Sequence, residues 1–390
     1  MLSKTTMFFS GPVESTSHNM RQLITPTNAD LENPVKLCRR EFLATTALAA
    51  TTIGTDKALA DDGRDSQVAF FLVGDTHYLA NKDAPSELDE RSRRVTNGLI
   101  DTLNALPNSA IPAEAGGGKV ARPRGVIHAG DLIDSGDKNG RILELMQATE
   151  WNAYAADFGI DGQSGRLTYP TYEVHGNHDG PQGKGIAING IAARNKQRQE
   201  LTGLSHNNLH CSWDWGPVHF VNLGIVVGQV PEVTQRRRYD PGGSLEFLIA
   251  DLREHVGDSR KPVVLTHHID VARYAVPCAA DDPKNLSREW HPCDVHAYYE
   301  AIRSYNVIAI LYGHTHARNI FRWNGSSARA TDGVPVFNVD NSAHFHSENQ
   351  AFLYFEINRT EMVIRECATR DAWQSHFWTP QIWKQSIRLG

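Results

Sequence analysis

The chain has 390 residues, 22% of them charged, and a formal net charge of −6 at pH 7. This mildly acidic balance argues against general nucleic-acid binding. The one block of like charge, Arg236-Arg237-Arg238, is by default a solvated loop, with a grip on a phosphate or acidic head group as the alternative.

The first predicted element is a leader. Cys38-Arg39-Arg40-Glu41-Phe42-Leu43 opens an apolar stretch, Ala44 to Gly54, and Ala58-Leu59-Ala60 offers a small-residue cleavage site. Paired arginines ahead of Phe-Leu resemble a twin-arginine export signal. The expectation is a leader over residues 1–62, cleaved near Ala60, with Met20 as a candidate internal start. Its partner is then the twin-arginine export machinery, and the mature protein is periplasmic or secreted. The apolar core of the leader is too short for a lasting membrane helix, and no later run is long enough, so the mature chain is expected to have no membrane span. Residues 63–390 are read as a single α/β domain with a loop insertion around 272–293. Cys211, Cys278, Cys293 and Cys367 remain after cleavage and allow three pairings. Cys278 and Cys293 bracket the polar insertion and form the favoured pair, with unpaired buried thiols as the alternative.

Five short apolar runs then each lead to a residue able to bind a hard or borderline metal. Val68–Val73 runs into Gly74-Asp75-Thr76-His77, and Val126–Ala129 into Gly130-Asp131. Tyr172–Val174 leads to Gly176-Asn177-His178-Asp179, and Val263–Leu265 to Thr266-His267-His268. Val307–Leu311 leads to Gly313-His314-Thr315-His316. Short Val- and Ile-rich runs closed by Gly read as buried strands. In α/β sheets ligands gather at the carboxyl ends of strands, so five such ends suggest one composite site. Further strands are expected at Val218–Leu223, Val334–Val339, Ala351–Ile357 and Met362–Cys367. Helical stripes fill the gaps: Val95, Leu99, Leu103 and Leu106; Ile142, Leu145, Met146 and Trp151; and Leu245, Leu248 and Leu252 with Ser244 as N-cap. The tail from His376 to Ile387 is expected to pack back on the domain.

The ligand count favours two ions. Asp75, His77, Asp131, Asn177, His267, His314 and His316 are seven candidates, whereas a single zinc needs three or four. A pair of ions about 3.5–4 Å apart needs a shared ligand, and the lone carboxylate Asp131 suits that place. Nitrogen and oxygen donors without thiolate favour Zn, Mn or Fe. Asp75 and Asp131 supply the only ligand charges, so two divalent ions leave the cluster at about +2, attractive to a phosphate ester. Water on such ions ionises near pH 7, so no covalent nucleophile is required.

The ordered series GDTH, GD, GNHD, a His after an apolar strand, and GHTH is similar to the calcineurin-like metallophosphoesterases, over roughly Val68 to His316. The resemblance implies a four-layer αββα sandwich of two mixed β-sheets flanked by helices, the metallo-dependent phosphatase fold. It implies that Asp75, His77, Asp131 and His316 hold one ion and that Asp131, Asn177, His267 and His314 hold the other. It makes His178 the acid that protonates the leaving oxygen, with Asp179 beside it in the catalytic set. The pattern favours His267 over His268, which is placed in an outer shell; Ile269-Asp270 stands where the family often has proline. Asp134 and Asp179 are also read as carboxylates that orient the motif loops or ligand histidines.

The implied activity is hydrolysis of small phosphorylated substrates. One alternative is a phosphodiesterase acting on nucleotides or phospholipid-derived head groups, with Trp213, Trp215 and Tyr239 free to stack a base. Another is a metal-stabilised binding protein without turnover. A purple acid phosphatase fits poorly, since Asp134 stands where that relative usually has tyrosine. His128 and His175 read as core or outer-shell groups. His206, His210 and His219 flank an aromatic stretch, and His344 and His346 read as exposed loop, with pocket lining as the alternative.

Overall fold

A computed structural model describes residues 67–233, 238–271, 289–326 and 330–387. The leader, Arg236-Arg237, Cys278 and the insertion up to residue 288 lie outside the described residues. Cys211 and Cys367 are buried free thiols.

Two mixed sheets form the frame. The first contains six strands: β1 (Val68–Val73), β2 (Val126–His128), β3 (Thr171–Glu173), β11 (Gln350–Ile357), β12 (Glu361–Thr369) and β13 (Phe377–Ser386), in the order β13-β12-β11-β1-β2-β3. Strands β1, β2 and β3 are parallel, and β11, β12 and β13 continue the sheet antiparallel. The second contains seven: β4 (Leu201–Leu204), β5 (Cys211–Trp215), β6 (Val218–Asn222), β7 (Val263–Thr266), β8 (Val307–Tyr312), β9 (Asn319–Trp323) and β10 (Val334–Asn338), in the order β4-β5-β6-β7-β8-β10-β9. Its centre, β6-β7-β8-β10, is parallel.

Strand periodicity sorts side chains into layers. On β1, Val68, Phe70 and Leu72 join Phe220, Val264, Leu311 and Phe337 in a cluster shared by both sheets. Phe70 stacks on Phe355 at 4.7 Å and meets Phe220 edge-on at 5.5 Å. Removing such a buried ring costs about 3–5 kcal/mol. The alternate residues Ala69, Phe71 and Val73 face Val95, Leu99 and Leu103 of helix α1 (Glu90–Ala105). Across the molecule, Val263, Leu265 and Ile310 face Leu245 and Leu248 of α4 (Ser244–Asp251) and Val295 and Tyr298 of α5 (Pro292–Ile302). The result is the helix–sheet–sheet–helix stack expected from the resemblance.

Several local readings change. Asp89 caps α1, accepting the amides of Arg91 at 2.9 Å and Ser92 at 3.4 Å. In α2 (Arg141–Asp157) the stripe is rotated: Ile142 and Leu145 are each 55% exposed, while Met146, Gln147, Glu150 and Tyr154 are buried. That buried polar face has a task. Glu150 accepts the amides of Ala80 and Ser135, both at 3.0 Å, and so ties together the loops that follow β1 and β2. Ser244 is the first residue of α4 rather than its cap, which is Gly243 in a left-handed conformation (φ 79°). The aromatic stretch forms β5, the tail forms edge strand β13, and α3 (Ile186–Gln197) and α5 carry no strong apolar stripe. Among the described residues no helix is long and apolar enough to cross a membrane.

Candidate metal centre

The carboxyl ends of β1, β2, β3, β7 and β8 carry the site, because parallel strands point the same way and each loop leaves from that edge. Asp75, His77, Asp131, His314 and His316 all have left-handed backbones (φ 43° to 74°). For residues with a Cβ this conformation is costly, and it clusters where geometry serves function. Backbone bonds fix the turns: Asp75 N donates to Gly130 O at 2.9 Å and His77 N to Asp131 O at 3.1 Å. Glycine permits the close approach. A Cβ at Gly176 would overlap Asp131, and one at Gly313 would overlap Asp75.

Two ligand sets share one residue. Donor atoms of Asp75, His77, Asp131 and His316 lie within 4.8 Å of one another, and those of Asp131, His268 and His314 form a second such set. Asn177 extends the second set, its Oδ1 lying 3.2 Å from His268 Nε2. Asp131 Oδ2 lies 3.1 Å from His268 Nε2 and 3.6 Å from His77 Nε2. Its Oδ1 accepts the His178 amide at 2.8 Å.

The hydrogen-bond chemistry fits cations. His268 Nδ1 donates to Ala129 O at 2.7 Å, which leaves Nε2 as the atom facing the oxygens of Asp131 and Asn177. His77 Nδ1 meets Asp134 Oδ1 at 3.3 Å, and its Nε2 faces His316 Nε2 at 3.2 Å. Lone pairs that converge in this way repel unless a positive charge lies among them. With no ion bound, the field favours a proton in that place on His268. Burial opposes charge on His268, yet Asp131 and Asp75 push its pKa up to about 9. Burial also raises the cost of ionised Asp131, but the surrounding histidines hold its pKa well below the ordinary carboxylate range.

His267 is a correction. Side chains alternate along a strand, so His267 follows Val263 and Leu265 to the outer face of β7. There it packs among Trp290, Tyr298 and Tyr312 at ring distances of 5.3–5.6 Å. His268 follows Val264 inward and takes the place expected for His267. The same period-2 parity, continued through Thr266 in the sequence, is the signal that separates them.

Asp179 is placed as the orienting reading has it rather than the catalytic one. Its Oδ1 accepts the amides of Leu132 at 2.9 Å and Ile133 at 3.0 Å, and its Oδ2 that of Gly176 at 2.7 Å. It orients two motif loops and is fully buried, so it cannot touch substrate. Asp134 takes the orienting place at His77 and is itself held by Lys138 Nζ at 2.7 Å. His128, buried, bonds Thr76 Oγ1 at 3.0 Å. His178 is part-exposed, its Nδ1 lying 3.0 Å from the Asp134 carbonyl oxygen and its ring 4.7 Å from that of His77. Burial pulls its pKa down, but Asp131, the Asp134 carbonyl and Asp137 outweigh that and the net direction is up.

Of two further neighbours, Glu289 was not expected, whereas His344 takes the pocket-lining alternative. Glu289, from the insertion, meets His314 Nε2 at 3.1 Å; no strand-end motif precedes it in the sequence. His344 lies 4.4 Å from the His77 ring and 4.8 Å from that of His316. Like the other site residues it follows the end of a parallel strand, β10. Trp213, Trp215 and Tyr239 are buried at 1%, 6% and 6% exposure, with Trp213 stacked on Tyr172 at 3.9 Å, so they offer no stacking surface for a base.

A family model described as calcineurin-like phosphoesterase matches residues 68–318, more than half of the chain. Solved structures with a similar fold include a dimetal phosphatase from Danio rerio (16% identity, 83% of this chain and 99% of that one, TM-score 0.42). A purple acid phosphatase from yellow lupin is similar at 13% identity (83% and 54%, TM-score 0.49). Vacuolar protein sorting 29 from Cryptosporidium parvum is similar at 12% (82% and 98%, TM-score 0.32). No curated protein gives a significant match.

Proposed function

This chain belongs to the calcineurin-like phosphoesterase family, and on that premise we propose that it is a dinuclear metal-dependent hydrolase of phosphate esters. The observation that carries the reading is the membership of Asp131 in both ligand sets. When bound, two divalent ions (Mn, Fe or Zn by donor type) supply a water nucleophile near neutral pH and offset charge on the phosphoryl oxygens. Asp75, His77 and His316 hold one ion with Asp131, and Asn177, His268 and His314 hold the other.

His178 is the proton donor to the leaving oxygen. Its Nδ1–H donates to the Asp134 carbonyl oxygen, so the ring cannot turn, and Nε2 is the atom left for the substrate. The carboxylates of Asp134 and Asp137, each 3.9 Å from Nδ1, favour the charged ring that can release a proton. Asp179 sets the Gly176–Asp179 turn that presents it. The leader extends the proposal to export by the twin-arginine route and a periplasmic or secreted location, which cell fractionation checks.

The test is turnover of p-nitrophenyl phosphate and its bis ester, before and after chelation and re-addition of each metal, with metal analysis alongside. Turnover that disappears on chelation and returns on reloading supports the reading, and the preferred ester separates monoester from diester activity. Two ions per chain without turnover of either ester marks a metal-stabilised binding protein instead. His178→Ala is expected to retain both ions and lower turnover by roughly 10²–10⁴-fold. An unchanged rate removes the acid role.

A further inference from the structure

We infer that His344 binds substrate, donating a hydrogen bond from Nε2 to a phosphoryl oxygen on the His77–His316 side of the site. The inference rests on the phosphoesterase reading and adds to it a residue outside the five strand-end motifs.

Position is the first argument. A ring nitrogen of His344 lies within 4.8 Å of donor atoms of both His77 and His316, a trio that could by distance hold an ion, yet His344 is absent from the set that contains Asp75 and Asp131. It therefore borders one side of the centre without reaching the carboxylates. That is the place of a group that meets what an ion holds rather than the ion itself.

The tautomer is the second argument. The backbone N–H of His346 donates to His344 Nδ1 at 3.2 Å. A neutral imidazole that accepts at Nδ1 carries its proton on Nε2. That nitrogen is then a donor with no lone pair for a metal, which separates His344 from His77 and His268, whose Nδ1 atoms face oxygen and whose Nε2 atoms face the centre. A phosphoryl oxygen, rich in lone pairs and negatively charged, is the complementary acceptor.

Rigidity is the third. The loop is clasped to the first ligand motif, since Ser342 N donates to Gly74 O at 2.9 Å and Gly74 N donates to Ser342 Oγ at 3.2 Å. Trp373 Nε1 holds Ser342 O at 2.7 Å. The His344 carbonyl accepts Ser347 N at 3.1 Å, and Arg91 lies over the neighbouring Phe345 ring at 5.3 Å. A ring carried on a loop held from so many directions, and itself bonded by the His346 amide, spends little entropy when it binds.

The test uses the metal-loaded full chain, its His344→Ala and His344→Gln variants, metal analysis and calorimetric titration with inorganic phosphate. His344→Ala is expected to keep both ions, bind phosphate about tenfold more weakly and raise KM more than it lowers kcat, as loss of one charge-assisted bond does. His344→Gln, which restores an N–H donor, is expected to recover part of the affinity. Loss of an ion from His344→Ala overturns the inference by making the residue a ligand. Unchanged phosphate affinity with both ions present overturns it as well, while leaving the hydrolase reading intact. A wild-type chain that holds two ions but neither binds phosphate nor cleaves an ester overturns both.

Discussion

Around Asp75, His77 and His316 side chains add to the backbone bonds of the turns: Asp134 faces His77 Nδ1, Lys138 holds Asp134, and Asp75 Oδ1 lies 3.4 Å from His316 Nε2. Around Asn177, His268 and His314 the main chain does more of the holding. Ala129 O fixes the His268 ring, and Glu289 meets His314 Nε2 at 3.1 Å. The first half is thus a charged network whose members can be exchanged singly, whereas the second depends on where β2 and β7 end. Asp131 belongs to both halves and is the one place where damage to either reaches the other.

Asp131→Asn is accordingly the largest perturbation. It is expected to strip at least one ion and reduce ester turnover on the order of a thousandfold, equivalent to ~4 kcal/mol of barrier. Metal analysis and initial rates check it, and retention of both ions would discredit the shared position. The adjacent histidines give a sharper and smaller contrast. His268→Ala is expected to lose the second ion while the fold persists. His267→Ala is expected to keep both ions and lose about 2–3 kcal/mol of unfolding free energy, the cost of a hole among Trp290, Tyr298 and Tyr312. Paired metal analysis and denaturant unfolding of the two variants decide it. The reverse result would restore the order implied by family resemblance.

The smallest effect comes from a histidine outside both halves. His219 Nδ1 lies 2.7 Å from Asp214 and its Nε2 2.8 Å from Asp251, with Lys261 on Asp214 and His255 3.9 Å from Asp251. It resembles His77, which also stands between two carboxylates, at 3.3 and 3.6 Å. The outcomes differ. Burial wins at His77 and lowers its pKa, whereas at His219 burial is outweighed by Asp214 and Asp251 and the pKa rises. Closer contact makes the second a charged pair. A raised folded pKa stabilises fully below the unfolded value of about 6.5 and is lost as pH rises through the folded value. The melting temperature of the wild type is therefore expected to fall by a few degrees relative to His219→Gln as pH is raised through that interval. Parallel curves would show that the pair contributes nothing.

The contrast between the halves also explains what was legible. Asp75, His77, Asp131, His314 and His316 announce themselves because buried parallel strands read as apolar runs and each ends on Gly followed by a ligand. At β7 no glycine marks the strand end, and two histidines stand side by side. Parity along Val263–His268 resolves them, whereas motif order does not. Asp179 carried two readings, and the orienting one fits, since its carboxylate takes the amides of Leu132, Ile133 and Gly176. Helices α3 and α5 and strands β9 and β13 were missed because their burial is partial and their apolar pattern weak, so tertiary contacts decide their state. The four-layer stack was legible only through the family resemblance, since nothing in the local pattern tells which sheet a given strand joins.

Gly176 and Gly313 carry a consequence for how the protein meets different metals. Beside that bare backbone the His178 amide holds Asp131 at 2.8 Å and the His314 amide holds both Asp75 oxygens at 3.0 Å, so neither carboxylate turns without breaking a bond. The anionic anchors are therefore stationary, and a change from a smaller to a larger ion must be absorbed by tilting imidazoles. Ion exchange should then register first in the aromatic proton resonances of His77, His268, His314 and His316, with the aspartate-bearing turns acting as a fixed ruler.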